Sequence, residues 1–199
     1  MRVRCLKPGA FLLCMLPLAG LLWQAYADRL GANPIEEISH QTGEWVLRLL
    51  MITLMMTPLK RISGWAWPLA IRRMLGLFAF FYAFLHLLSY LWLDQFFEWG
   101  EIWLDILDRP FITVGMLGFV LLVPLAATSN RFMVKRLGKR WKRLHRLAYV
   151  VPVLGVLHFW WLVKADVREP FIYAAVLAVL LLLRVPALRA RTTNSTEPL

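Results

Sequence analysis

The chain has 199 residues, of which 60% are hydrophobic and 18% charged, whereas soluble domains hold about 45–50% apolar and about 25% charged residues. The apolar excess falls in several long runs, which excludes a soluble domain and points to an integral membrane protein. A net charge of +11 would suit a nucleic-acid ligand, but the basic residues cluster beside the apolar runs as membrane topology requires, so no nucleic acid is expected.

Spanning the hydrocarbon core takes roughly 20 mostly apolar residues, and six segments of that kind are predicted. The first, residues 8–27, follows the basic start Arg2, Arg4 and ends in Ala25, Tyr26 and Ala27. The same order of features marks a cleavable signal peptide, although the length of the run, with Pro17 and Gly20 inside it, favours a retained helix. A loop over residues 28–43 precedes a short second segment, 44–58, which carries Arg48. After Lys60 and Arg61 and a Trp-containing turn, the third segment covers 72–93. An acidic, aromatic loop at 94–110 leads to the fourth, 111–127. The densest basic loop, 131–146, precedes the fifth segment, 144–163. A short link, 164–170, then leads to the sixth, 171–186. The polar tail 189–199 is expected to be disordered.

Charge predicts the orientation. The N-terminus, the loops after segments two and four, and the C-terminal tail hold 18 of the 23 Lys and Arg residues, while the opposite loops hold 11 of the 12 acidic ones. Both termini of an all-α, six-helix transmembrane bundle should therefore be cytoplasmic, with residues 1–188 forming one membrane domain. The bundle is expected in a bacterial inner membrane as a multi-pass protein. Trp92, Trp99, Trp103, Trp160 and Trp161 then fall at the periplasmic interface, where an aromatic belt accounts for them. The basic loop fits anionic lipid contact.

Four histidines remain to be placed. Ionisable side chains inside a membrane are costly and mark functional sites. In this topology segments three and five run in the same direction, with Arg72 and His145 near the cytoplasmic ends and His86 and His158 near the periplasmic ends. At 1.5 Å per residue the 13 or 14 intervening positions separate two tiers by roughly 20 Å. Each tier is wide enough for a haem between facing helices. His86 and His158 are the strongest pair of axial ligands, the alternative being histidines packed against neighbouring helices. His145 is a further candidate ligand, the alternative being a solvated histidine at the edge of the basic loop, with Arg72 placed either to cap the iron's far side or, by preference, to pair with a haem propionate. His40, in a polar stretch, reads as a surface or partner contact. Cys5 and Cys14 form no Cys-x-x-Cys-His attachment signature, so any haem would be non-covalent, of b type.

Several motifs carry a family resemblance. They are Asn33-Pro34-x-Glu36-x-Ile38-x-His40-x-Thr42-Gly43, Arg72-Arg73-Met74-Leu75-Gly76, Tyr82-Ala83-Phe84-Leu85-His86 and Trp141-Lys142-x-Leu144-His145-Arg146-Leu147-x-Tyr149. Together, over residues 8–186, they resemble the MsrQ (YedZ) family of the ferric-reductase-like transmembrane group. These are the haem-binding membrane subunits of the bacterial periplasmic methionine sulfoxide reductase system. The resemblance implies a cytochrome b-type electron-transfer subunit with one or two haems, the family's histidines falling on His86, His145 and His158. It implies electrons taken from the quinone pool or a cytoplasmic flavin reductase and passed to a periplasmic molybdopterin-containing subunit. It also implies FMN, for which no nucleotide motif is visible. Two rival readings are a self-sufficient membrane reductase of small acceptors or metal ions, and a transporter using its histidines for protons or metals.

Overall fold

The computed structural model describes residues 3–163 and 165–184. Among them there are nine α-helices and no strand: α1 (Val3–Tyr26), α2 (Pro34–Ser63), α3 (Trp67–Leu88), α4 (Trp99–Asp108), α5 (Pro110–Ala127), α6 (Arg131–Leu137), α7 (Lys139–Leu144), α8 (Leu147–Leu162) and α9 (Arg168–Leu182). The tail at 189–199 lies outside the described residues.

Three stretches are long and apolar enough to cross a membrane: Leu6–Tyr26, Trp67–Asp94 and Pro110–Ala127. These correspond to the first, third and fourth expected segments. α2 is longer, at 30 residues, but Glu36, Glu37, Glu44, Arg48, Lys60 and Arg61 interrupt its apolar run. α8 and α9, at 16 and 15 residues, reach about 22–24 Å, short of the roughly 30 Å hydrocarbon core.

The connections expected as loops are largely helical. α2 begins ten residues before the second expected segment because its N-terminus is fully signalled. Asn33 caps it by accepting from the Glu36 N–H, Pro34 occupies the first turn, and Glu36 and Glu37 face the positive end of the helix dipole. It stops at Gly64, whose φ of +72° suits a residue without Cβ. The acidic stretch 94–110 contains α4, and the basic stretch 131–146 contains α6 and α7, separated at Gly138. α3 does not end cleanly. It widens into a π-helical turn, Ser89–Asp94, and the chain then reverses through Phe96 and Phe97, both at positive φ.

α2 is the central element. One side packs on α3 through Leu49, Leu50 and Met56 against Ile71, Leu75, Ala79 and Tyr82, with Leu122 and Leu125 of α5 and Val151 of α8 closing the same core. Its other side carries Leu47, Met51 and Leu54 against Val156 and Phe159 of α8 and Leu177 and Leu180 of α9. Many apolar side chains of α1, α5 and α9 point outward, Leu12, Leu16, Val120, Phe171 and Val179 among them. That suits a lipid solvent, in which helices are held by close packing and hydrogen bonds rather than by hydrophobic exclusion.

One such hydrogen bond joins α1 to α3. Tyr82 is only 1% exposed, and its hydroxyl donates to the Cys14 carbonyl at 2.8 Å and accepts from the Leu18 N–H at 3.1 Å. Those two backbone groups are the ends of one helical rung, next to Pro17, which lacks an N–H of its own. A side chain inserted across a rung bends the helix that receives it.

Candidate functional site

His86 lies near the end of α3, just before the π-helical turn, and His158 lies in the last turns of α8. The structure brings them together, with ring centres 6.1 Å apart and planes at 80°. Each ring is held from behind by a backbone carbonyl. His86 Nδ1 donates to the Ser39 carbonyl of α2 at 3.0 Å, and His158 Nδ1 donates to the Phe111 carbonyl of α5 at 2.6 Å. A carbonyl can only accept, so the proton of each neutral ring sits on Nδ1 and the lone pair on Nε2. This is the arrangement by which outer hydrogen bonds orient metal-binding histidines.

Two glycines make room for the rings. A Cβ on Gly43 of α2 would lie 3.1 Å from His86 Cε1, and one on Gly115 of α5 would lie 2.8 Å from His158 Nδ1. The helix backbones therefore approach the imidazoles as closely as they can, a use of small residues typical of membrane interfaces.

Both histidines face a cavity of about 550 Å³, within the roughly 300–1,000 Å³ of cofactor pockets. Val46, Leu47, Leu50, Ala83, Phe119, Leu122, Val151 and Phe159 form its apolar walls, and Asn33, His40, Asp94 and Arg109 are among the residues at its polar end. Two imidazoles on one metal ion place their ring centres about 6 Å apart, given bonds of about 2.0 Å and a ring centre roughly 1 Å behind each nitrogen. The observed spacing meets that requirement. Among the described residues no three His, Cys, Asp or Glu side chains group as a metal site, whereas bare ions such as zinc take three or four protein ligands. Two neighbouring imidazoles on one wide, largely apolar cavity instead suit an iron whose other positions would be filled by a macrocycle.

Two of the remaining expected residues, His145 and Arg72, do not line this cavity. His145 sits in the turn between α7 and α8 rather than inside a continuous helix, so the 13 positions to His158 are not one unbroken helix. Its Nε2 is 2.9 Å from the Thr128 hydroxyl, and its ring stacks on Trp141 at 3.9 Å. Arg72 donates to the Thr57 hydroxyl at 3.0 Å, and its charge acts on the His145 ring. No second imidazole faces His145 among the described residues. His40, expected in a loop, is on α2 at the cavity's polar end. Gly115, Ser39 and Phe111 were not singled out from the sequence. The two carbonyls carry no residue signature, and Gly115 reads as one more small residue in an apolar helix.

Residues 42–156 match the family described as "Ferric reductase like transmembrane component", and the chain belongs to that class of membrane proteins. Its relatives narrow the class. The "Protein-methionine-sulfoxide reductase heme-binding subunit MsrQ" of Rhodospirillum rubrum is 54% identical over 195 residues, covering 97% of this chain and 94% of the relative. The protein of the same name from Herminiimonas arsenicoxydans is 53% identical over 183 residues, covering 90% and 84%. That from Caulobacter vibrioides is 52% identical over 189 residues, covering 94% and 90%. The chain is a member of the MsrQ family.

Proposed function

We propose that this protein is a b-type cytochrome subunit of a bacterial inner membrane. It carries electrons from the quinone pool or a cytoplasmic flavin reductase to a periplasmic molybdopterin-containing methionine sulfoxide reductase. The observation that carries this reading is the His86–His158 pair, with both Nδ1 atoms anchored on backbone carbonyls and both rings opening on the same cavity. Haem held by the two Nε2 atoms would supply a one-electron couple. The chain's own work is to fix the ligand tautomers through Ser39 and Phe111, to exclude water with apolar walls, and to leave a polar end toward the periplasm. No substrate bond is made or broken by any residue of this chain. The names of the relatives support the reductase partner, and the charge asymmetry of the loops supports six spans with cytoplasmic termini. The acidic, tryptophan-bearing α4 is the docking surface we assign to the partner. We assign FMN no residues.

A second haem on His145, with Arg72 beside it, extends the proposal. The support for it is that both residues lie at the end of the bundle opposite His86. With Nε2 engaged by Thr128, ligation there requires displacement of that hydroxyl or use of Nδ1.

The test is an absorption spectrum with pyridine-haemochrome stoichiometry on purified wild type, His86→Ala, His158→Ala and His145→Ala proteins. The first two variants are expected to lose the six-coordinate, low-spin spectrum together. A spectrum that survives both substitutions unchanged would sink the haem reading. The third variant counts the second haem.

A further inference from the structure

A haem carries two propionates as well as an iron, and a carboxylate left in an apolar wall is strongly disfavoured. Resting on the two-histidine haem reading, we infer that Arg109 is the propionate anchor of this site and fixes the direction in which the cofactor enters it. Arg72, the sequence-based candidate, does not line the cavity. Arg109 does, and it is the single Lys or Arg among the described lining residues.

The other ionised groups of the lining are carboxylates, and each has a donor of its own. Glu36 accepts from the Asn33 amide at 2.9 Å, Glu44 from Arg48 at 2.6 Å, and Asp94 from Gln95 at 3.2 Å. Arg109 is held differently. Its Nε pairs with Asp105 at 3.2 Å, while its two Nη groups have no hydrogen-bond partner among the described residues. Asp105 also accepts from Tyr90 and Gln95, so the guanidinium is braced through its inner nitrogen by α4 and the π-helical turn. The outer nitrogens are the edge that binds a carboxylate in bidentate fashion.

Chain position couples this anchor to the iron ligands. Arg109 is the N-cap of α5, and Phe111, two residues on, holds His158 by its carbonyl. The same end of α5 thus places a cation and, through its dipole, further positive potential at the polar end of the cavity. Arg109 would hold a propionate at that end, and the apolar residues of α2, α3, α5 and α8 would enclose the rest of the cofactor.

The test compares haem with haem dimethyl ester, whose propionates are uncharged, in titrations of full-length protein produced without haem. Wild type is expected to bind the free acid about 10- to 100-fold more tightly than the ester, the scale of one charge-assisted pair. In Arg109→Gln the preference is expected to collapse to within about threefold, chiefly by weaker binding of the free acid. Asp105→Asn, which removes the brace but keeps the guanidinium, is expected to retain most of the preference. A wild-type preference that Arg109→Gln leaves unchanged overturns the anchor alone. Equal loss in both variants also overturns it, by making the network rather than the guanidinium responsible. Equal binding of the two compounds by wild type overturns the anchor as well, and failure of both to give a six-coordinate spectrum in wild type overturns the two-histidine reading and this inference with it.

Discussion

Gly115→Ala is the most demanding test of the site's geometry, because it adds one methyl group and removes nothing. The added carbon would lie 2.8 Å from His158 Nδ1 and 3.0 Å from Cε1, closer than non-bonded atoms tolerate. The ring cannot yield freely, since its Nδ1 is tied to the Phe111 carbonyl at 2.6 Å. It must either push α5 from α8 or turn and give up that hydrogen bond. Overpacking costs about 1–3 kcal/mol and the lost hydrogen bond about 1 kcal/mol. Whichever route is taken, the cost of about 1–3 kcal/mol corresponds to about 5- to 160-fold weaker haem binding if all of it falls on the loaded state. Haem titration followed at the Soret band measures this, with thermal unfolding of the haem-free protein run alongside. Gly43→Ala places its methyl 3.1 Å from His86 Cε1, so a loss within about tenfold is expected. Gly118→Ala meets nothing nearer than 3.8 Å and should bind as wild type does. If Gly115→Ala and Gly118→Ala bind haem equally well, Gly115 does not seat the His158 ring.

Two further outcomes follow from contacts away from the cavity. Tyr82→Phe removes the hydroxyl shared by Cys14 and Leu18, and those groups can re-pair only in part. A loss of about 1–2 kcal/mol is expected, or roughly 2–8 °C in the melting temperature of the purified protein, with the haem titration unmoved; an unchanged melting temperature refutes the bridging role. Thr128→Val frees His145 Nε2 while keeping the side chain's shape. Haem binding at the His86–His158 site is expected to stay within about twofold of wild type, and a larger shift would show that the His145 end is coupled to that cavity.

The pairing of His86 with His158 was legible because membrane thickness and helical rise are stiff rulers. Two histidines at equal depth on two helices running in the same direction have few places to go. The extent of α2 was less legible, since span recognition rewards apolar runs, and α2 opens with polar residues beyond the apolar stretch. Its cap was nonetheless written in Asn33, Pro34 and Glu36. α4 was hidden by the same rule, because a ten-residue helix carrying three acidic residues and two tryptophans resembles a loop when only long apolar runs are sought. The local structure at His145 was less legible for another reason. The 13-residue count to His158 assumes an unbroken helix, whereas the chain turns at His145 and restarts at Leu147. Arg109 was beyond sequence reasoning, because what distinguishes it is which of 23 basic residues ends up beside a cavity formed by four separate helices.

The Tyr82 bridge bears on the order in which the bundle comes together. Its donor and acceptor lie 64 and 68 positions earlier in the chain, so α1 reaches the bilayer well before the side chain that spans its rung. Until α3 arrives, α1 has two internal prolines, Pro8 and Pro17, and lacks the hydroxyl that spans its rung. Once α3 is in place, the dependence is mutual. A peptidase cutting after Ala27 would leave the Tyr82 hydroxyl facing hydrocarbon without a partner, at a cost of several kcal/mol. The segment that most resembles a disposable leader is thus the one whose backbone completes the core of α3.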